Sequence, residues 1–182
     1  MKVNKVGFKR FDTISFIVEA VPNEYYGSRD GDYLTEHHKD LKVTVVINDI
    51  RIGGPAHVDV YSLVMKNTKC KSDWGDWSAF YPWACSCGDA GCAGIWSGIS
   101  VRERGYSIEW RAKREDGYGF LPKTFFNYEK TAYKRAFDEL LAQIVGLCSD
   151  YPNSILVVDA GYCEEQLVTG IDFLEYVREN TK

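Results

Sequence analysis

The sequence predicts an α+β domain: a mainly antiparallel sheet, a long amphipathic helix over residues 127–148 packed on one face, and a C-terminal helix. Three observations predict it. Short runs near residues 14–18 and 43–47 alternate apolar and polar side chains, the period of a half-buried strand. Two longer stretches, 41–54 and 94–114, contain turn residues near their centre, Asn48-Asp49 and Arg104-Gly105. A single apolar stripe of period 3.6 runs through Tyr133, Phe137, Leu140, Leu141, Ile144, Leu147 and Cys148. The length of 182 residues suits one domain, 1–182, with one sizeable core.

Taken in order, "FDTISFIVEAV" (11–21) reads as a strand with Ile14, Phe16 and Val18 on one face. "NEYYGSRDGDYLTEHHKD" (23–40) is polar and contains glycine, so it reads as a loop. "LKVTVVINDIRIGG" (41–54) is the clearest hairpin, because Asn and Asp tolerate the left-handed conformations of a tight turn. "PAHVDVYSLVMKN" (55–67) fits a short helix opened by Pro55, although Val58 and Val60 also alternate. "GIWSGISVRERGYSIEWRAKR" (94–114) reads as a second hairpin with Tyr106, Ile108 and Trp110 on its return. The long helix takes Asn127 as N-cap. "SILVVD" (154–159) is a short apolar strand. In "TGIDFLEYVREN" (169–180), Thr169 caps a helix that turns Ile171, Leu174 and Val177 inward.

Composition removes several function classes. The net charge is −4, and the most basic stretch, "VRERGYSIEWRAKR", is interrupted by Glu103 and Glu109. Nucleic acid binding wants an unbroken basic face, so no nucleic acid partner is expected. No stretch approaches the ~18 apolar residues of a membrane span, and the N-terminal segment lacks an apolar signal core. The expected setting is the cytoplasm, where the six cysteines would be reduced thiols or metal ligands. No phosphate loop, nucleophile elbow or His-Glu-x-x-His motif occurs. His57 and Asp59 have the types of a base and its orienter, but nothing in the spacing brings a cysteine nucleophile to them.

Two stretches remain as candidate sites. In "CSCGDAGC" (85–92), three thiols lie within eight residues. One reading is zinc, held by Cys85, Cys87 and Cys92 with Cys70 as the fourth ligand, since a closed structural site wants four. Another is a compact turn in which Gly88 and Gly91 supply positive φ, Ser86 and Asp89 bond local backbone N–H groups, and the thiols pack as small apolar groups. The third is a redox or nucleophilic thiol, which usually stands in a Cys-x-x-Cys opening a helix. "SDWGDWSAFYPW" (72–83) concentrates aromatic rings and carboxylates. It is either a loop completing the core or a partner-binding surface. In the second reading, Trp74, Trp77, Tyr81 and Trp83 are anchors, and Asp73 and Asp76 steer a basic partner. "EDGYGF" (115–120) adds Asp116 and Tyr118 to that surface.

The run "CSCGDAGC", then "GISVRERGYSIEW", then "FFNYEKTAYKRAFDEL", resembles small uncharacterised bacterial proteins with a C-x-C-G-x-x-G-C turn, a hairpin ending in Trp, and an aromatic entry to a helix. The resemblance covers about residues 43–145. It implies no catalytic residue, and its three-cysteine pattern speaks mildly against a closed zinc site. A looser resemblance, of class and composition alone, is to bacterial toxin-immunity proteins, including those of contact-dependent inhibition. It implies a non-catalytic cytosolic protein that neutralises a basic toxin domain by direct contact and needs no cofactor. A zinc-stabilised interaction module and a thiol-dependent enzyme are the alternatives.

Overall fold

The computed structural model describes residues 10–22, 39–54, 57–66, 78–85, 89–157 and 167–180. Its elements, in chain order, are β1 (Ile14–Pro22), β2 (Lys39–Ile47), β3 (Ile50–Arg51), β4 (His57–Val58), α1 (Val60–Lys66), β5 (Ser78–Phe80), β6 (Trp83–Ala84), β7 (Ile99–Arg104), β8 (Ser107–Arg111), β9 (Phe125–Glu129), α2 (Lys130–Asp150), β10 (Ile155–Val157), β11 (Leu167–Thr169) and α3 (Gly170–Asn180). The class is α+β, as the patterning predicts.

One sheet runs β1-β2-β10-β11, with β3 paired to β2. Its pairs are antiparallel except β10 with β2, which run parallel and meet at Ile155 and Asp40. In β2 the buried residues Leu41, Val43, Val45 and Ile47 alternate with half-buried ones, the two-residue period that one covered face requires. Asn48 and Asp49 turn the chain with φ of 50° and 64°, the pair of positive values of a type I′ hairpin. A second sheet, β5-β7-β8-β9, is an antiparallel meander. A third ladder joins β4 to β6.

Asp12 joins the two larger sheets. It bridges to Tyr128 of β9, and its N–H donates to the Asn127 carbonyl at 2.8 Å. Its carboxylate accepts from the Asn127 N–H at 2.7 Å, from Asn48 Nδ2 at 2.8 Å and from Lys123 Nζ at 2.5 Å. The hairpin turn is tied to the same point, since Asn48 Oδ1 accepts from the Thr13 N–H at 2.9 Å.

Helix α2 covers the seam between the sheets. Phe137 packs edge-on against Phe16 of β1 at 4.9 Å between ring centres. One turn earlier, Tyr133 packs against Tyr128 and Trp110 of the second sheet, and Trp110 Nε1 donates to Tyr133 Oη at 3.0 Å. The helix spans Lys130–Asp150, so it begins later than the expected 127–148 and takes a different N-cap from the expected Asn127. "FFNYE" is strand β9, with Asn127 opposite Glu109, and Glu129 is the N-cap, accepting from the Thr131 and Ala132 N–H groups. A carboxylate in that place meets both the orphan amides and the positive end of the helix dipole.

Other boundaries shift as well. The second hairpin turns at Gly105-Tyr106, not Arg104-Gly105, because Arg104 pairs with Ser107 and only Gly105 takes a positive φ, 52°. Residues 57–66 satisfy both periods in turn, first as β4 and then as α1. Lys39 and Asp40 belong to β2, while the rest of the expected 23–40 loop lies outside the described residues. In α3, Phe173 and Val177 are buried and Ile171 is exposed. The Thr169–Asp172 capping box sets that rotation: Asp172 Oδ2 accepts from Thr169 Oγ1 at 2.7 Å, and Thr169 Oγ1 accepts from the Asp172 N–H at 3.2 Å.

Candidate functional site

The aromatic stretch before the cysteines divides between core and surface. Asp73, Trp74, Asp76 and Trp77 lie outside the described residues. Trp83 is 1% exposed and Tyr118 is 0% exposed, so neither is the surface anchor that the sequence suggested. Trp83 is held in β6 opposite Val58, and its ring meets Tyr118 at 6.2 Å and Phe120 at 5.2 Å. Tyr118 follows Gly117, whose φ of 100° reverses the chain and directs the phenol inward. Burial, then the neighbouring Tyr81 and Asp116, push the Tyr118 hydroxyl well above its ordinary pKa. The expected nearness of "EDGYGF" to the aromatic stretch is real, but the two meet inside the protein.

Around the cysteines the backbone forms a hydrogen-bonded turn. The Asp89 carbonyl accepts from the Cys85 N–H at 3.1 Å, and Asp89 Oδ1 accepts from the Gly91 N–H at 2.8 Å. The Gly94 and Ile95 N–H groups donate to the carbonyls of Gly91 and Ala90, both at 2.9 Å. Asp89 thus bonds the local backbone as a turn requires, while the positive φ falls on Gly94, at 76°, and not on Gly91. Cys85 is disulfide-bonded, against the expectation of reduced thiols, and Cys92 is free and exposed. A disulfide sulfur carries no thiolate for a metal, and Cys70 and Cys87 lie outside the described residues. Among the described residues no group of three or more His, Cys, Asp or Glu side chains could hold a metal ion.

Other thiol and acid–base candidates are committed elsewhere. The Asp59 carboxylate accepts from the Ser62 N–H at 2.8 Å and so caps α1. Burial, with the charge of Lys42, lowers the pKa of His57. Burial also pushes the Cys148 thiol up to about 11, which keeps it protonated and inert on the inner face of α2.

Two hollows meet at Tyr81. The larger, about 720 Å³, lies on the outer face of the meander at the end where β8 runs out. Cross-strand pairing places Ser100 beside Arg111 and Arg111 beside Phe125, so one row crosses three strands. The Arg111 guanidinium rests 5.7 Å from the centre of the Phe125 ring. Lys113 continues on the same side, 3.6 Å from the Asp116 carboxylate, which accepts from Ser97 Oγ at 2.5 Å. The smaller hollow, about 320 Å³, is bounded by Tyr81, Asp89, Gly91 and Trp96. Trp96 is 72% exposed, and its backbone N–H is fixed to the Asp116 carbonyl at 3.0 Å.

Of the candidates read from sequence, the structure gathers Tyr81 and Asp116 at this surface and adds Trp96, Arg111 and Lys113. The one hint of Trp96 in the sequence is its position in "GIWSG", where flanking glycines interrupt any period. Arg111 and Lys113 share a side because they stand two apart on extended chain, a spacing that carries no functional mark by itself. Comparison of the chain with protein-family models, with curated proteins and with solved structures finds no match.

Proposed function

We propose that the chain is a non-catalytic binding protein that recognises a protein partner through the surface around Trp96. The observation that carries this reading is Trp96 itself, 72% exposed beside the half-buried Tyr81 and held by a backbone hydrogen bond to the 114–117 turn. A large apolar ring presented to solvent on a braced turn has the character of an interface anchor, since Trp and Tyr supply much contact area for few rotatable bonds. Asp89 beside it, within a chain of net charge −4, favours a basic partner. In its specific form the reading is a cytoplasmic immunity protein that neutralises a bacterial toxin domain by direct contact. No helix among the described residues is long and apolar enough to cross a membrane.

Calorimetry against the protein encoded by the adjacent gene tests the proposal. Trp96→Ala is expected to weaken binding by about 2 kcal/mol or more, roughly 30-fold, while leaving the melting temperature unchanged. A full-strength interaction in the Trp96→Ala protein removes this surface from consideration. The zinc-stabilised alternative needs Cys85 as a thiolate, and Cys85 is disulfide-bonded. Stoichiometric zinc in the purified protein, with a melting temperature that falls on chelation, would restore that alternative.

A further inference from the structure

We propose that the smaller hollow, between Trp96 and Tyr81, seats one arginine side chain of the basic partner. This seat depends on the docking reading of the same surface and names the group that it takes. The hollow measures about 320 Å³ and is walled by Tyr81, Asp89, Ala90, Gly91, Ile95 and Trp96. That volume stands at the lower end of the range for ligand sites, room for a single side chain. The wall holds two aromatic rings, one carboxylate and no cationic side chain.

Asp89 sets the charge of the occupant. Its Oδ1 accepts from the Gly91 N–H at 2.8 Å. That donor is a neutral amide, so it orients the carboxylate without balancing its charge. Among the described residues no basic side chain pairs with Asp89, and its Oδ2 receives no hydrogen bond from them. A carboxylate oxygen offers two lone pairs, so both oxygens can still accept from a donor supplied by a partner.

Trp96 and Asp89 reach the hollow from the same turn, with Gly91 between them. A side chain built on Gly91 would put its first carbon 3.3 Å from Asp89 Oδ1 and 3.7 Å from Trp96 Cζ3. The bare glycine thus leaves the carboxylate and the indole within reach of one entering group. The turn is braced on both sides: the Gly94 and Ile95 N–H groups donate to the Gly91 and Ala90 carbonyls, and the Trp96 N–H donates to the Asp116 carbonyl. Tyr81 comes from another part of the chain, just beyond β5, and its N–H donates to Ser62 Oγ at 3.2 Å. Both rings therefore stand on backbone that is held in place before a partner arrives.

These parts favour a guanidinium over an ammonium. A planar guanidinium stacks on an indole face while its N–H edge meets a carboxylate, and its weak hydration makes leaving water less costly. An ammonium is a compact, strongly hydrated point charge that offers no flat face to a ring. A neutral side chain of the same shape would keep the ring contact and leave Asp89 without a counter-charge.

NMR titration of the full chain with N-acetyl-arginine methylamide, and with its lysine and citrulline counterparts, tests the seat. The arginine compound should bind in the millimolar range and shift the Trp96 indole and Gly91 amide signals. Citrulline, its uncharged isostere, should bind at least about 3-fold more weakly, and lysine should also bind more weakly. Affinity should fall as ionic strength rises. Asp89→Asn keeps the Oδ1 acceptor of the turn and should weaken the arginine compound about 3- to 10-fold. Trp96→Leu keeps an apolar group at an exposed position and should weaken it by at least about 3-fold. The inference is overturned if the arginine compound does not bind at about 50 mM, if citrulline or lysine binds as tightly, or if either variant binds as the parent does. In calorimetry against the protein of the adjacent gene, Asp89→Asn should weaken the complex by a similar factor. A full-strength complex in Asp89→Asn, with the Trp96→Ala complex weakened, overturns the arginine seat and leaves the docking reading standing. A full-strength complex in Trp96→Ala removes both.

Discussion

Replacing Asp12, whose side chain is only 11% exposed, with alanine should destabilise the protein markedly. The carboxylate serves three donors from three parts of the chain: the Asn127 N–H at 2.7 Å, Asn48 Nδ2 at 2.8 Å and Lys123 Nζ at 2.5 Å. The first is a partly buried, charge-assisted bond and contributes about 1.5–3 kcal/mol; losing it also strands an amide of β9. The second is neutral at its donor and exposed, about 0.5–1 kcal/mol. The third is a surface ion pair whose lysine is 45% exposed, with a contribution of about 0–1 kcal/mol. These bonds share one group and do not add fully, so Asp12→Ala should cost about 2–4 kcal/mol. For a chain of this size that is roughly 5–15 °C in melting temperature. Lys123→Met removes the ion pair and the contact of Lys123 Nζ with the Phe126 ring at 5.2 Å, and should still cost less than Asp12→Ala, about 1 kcal/mol.

The same carboxylate fixes the pH dependence. Burial pushes its pKa up, but the hydrogen bonds from Lys123, Asn48 and the Asn127 amide, with the Lys123 charge, outweigh burial and hold it below 3.8. A folded-state pKa below the unfolded one means that the stabilisation is whole above about pH 4–5 and is lost as pH falls through the lowered value. The gap between parent and Asp12→Ala should therefore be constant from pH 7 to about pH 5 and shrink below about pH 4. Urea unfolding followed by tryptophan fluorescence measures both quantities. A cost under about 0.5 kcal/mol, or a Lys123→Met cost equal to that of Asp12→Ala, would refute the idea that Asp12 joins the sheets through the Asn127 amide.

Two further pairs of substitutions test the packing and the turns. Tyr133→Phe removes the acceptor of the buried Trp110 N–H and should cost about 1–3 kcal/mol, whereas Tyr128→Phe deletes a buried hydroxyl with no hydrogen-bond partner among the described residues and should be neutral or stabilising by urea unfolding. Gly117→Ala places a Cβ against the Gly94 carbonyl at a φ of 100° and should cost more than about 2 kcal/mol, lowering the melting temperature, while Gly105→Ala meets open space and should cost less.

What the sequence disclosed follows from how local each determinant is. The Asn48-Asp49 turn is legible because few residues accept two successive positive φ values. The inner face of α2 is legible because its stripe spans the whole helix. Its start is not, because "FFNYE" becomes a strand through pairing with β8, a partner that no local pattern names. The site was half legible. Tyr81 and Asp116 belong to conspicuous clusters, but which tryptophan faces solvent depends on tertiary contacts. Trp83 is enclosed by Tyr118 and Phe120 across the fold, while Trp96 stays exposed. Likewise, a cysteine spacing equally suited to a metal or a turn does not reveal that Cys85 forms a disulfide.

The parallel pairing of β10 with β2 has a consequence for the newborn chain. Strand β2 finds β1 and β3 soon after it leaves the ribosome, but its Asp40 end waits for Ile155. At about 5–20 residues per second of synthesis, that wait lasts roughly 6–23 s. Throughout it, one end of a strand carrying Leu41, Val43 and Val45 offers bare backbone donors and acceptors to any neighbour, including a sister chain on the same message. The mature protein covers that edge. The interval of greatest exposure to misassociation therefore falls during translation, before Ile155 has emerged.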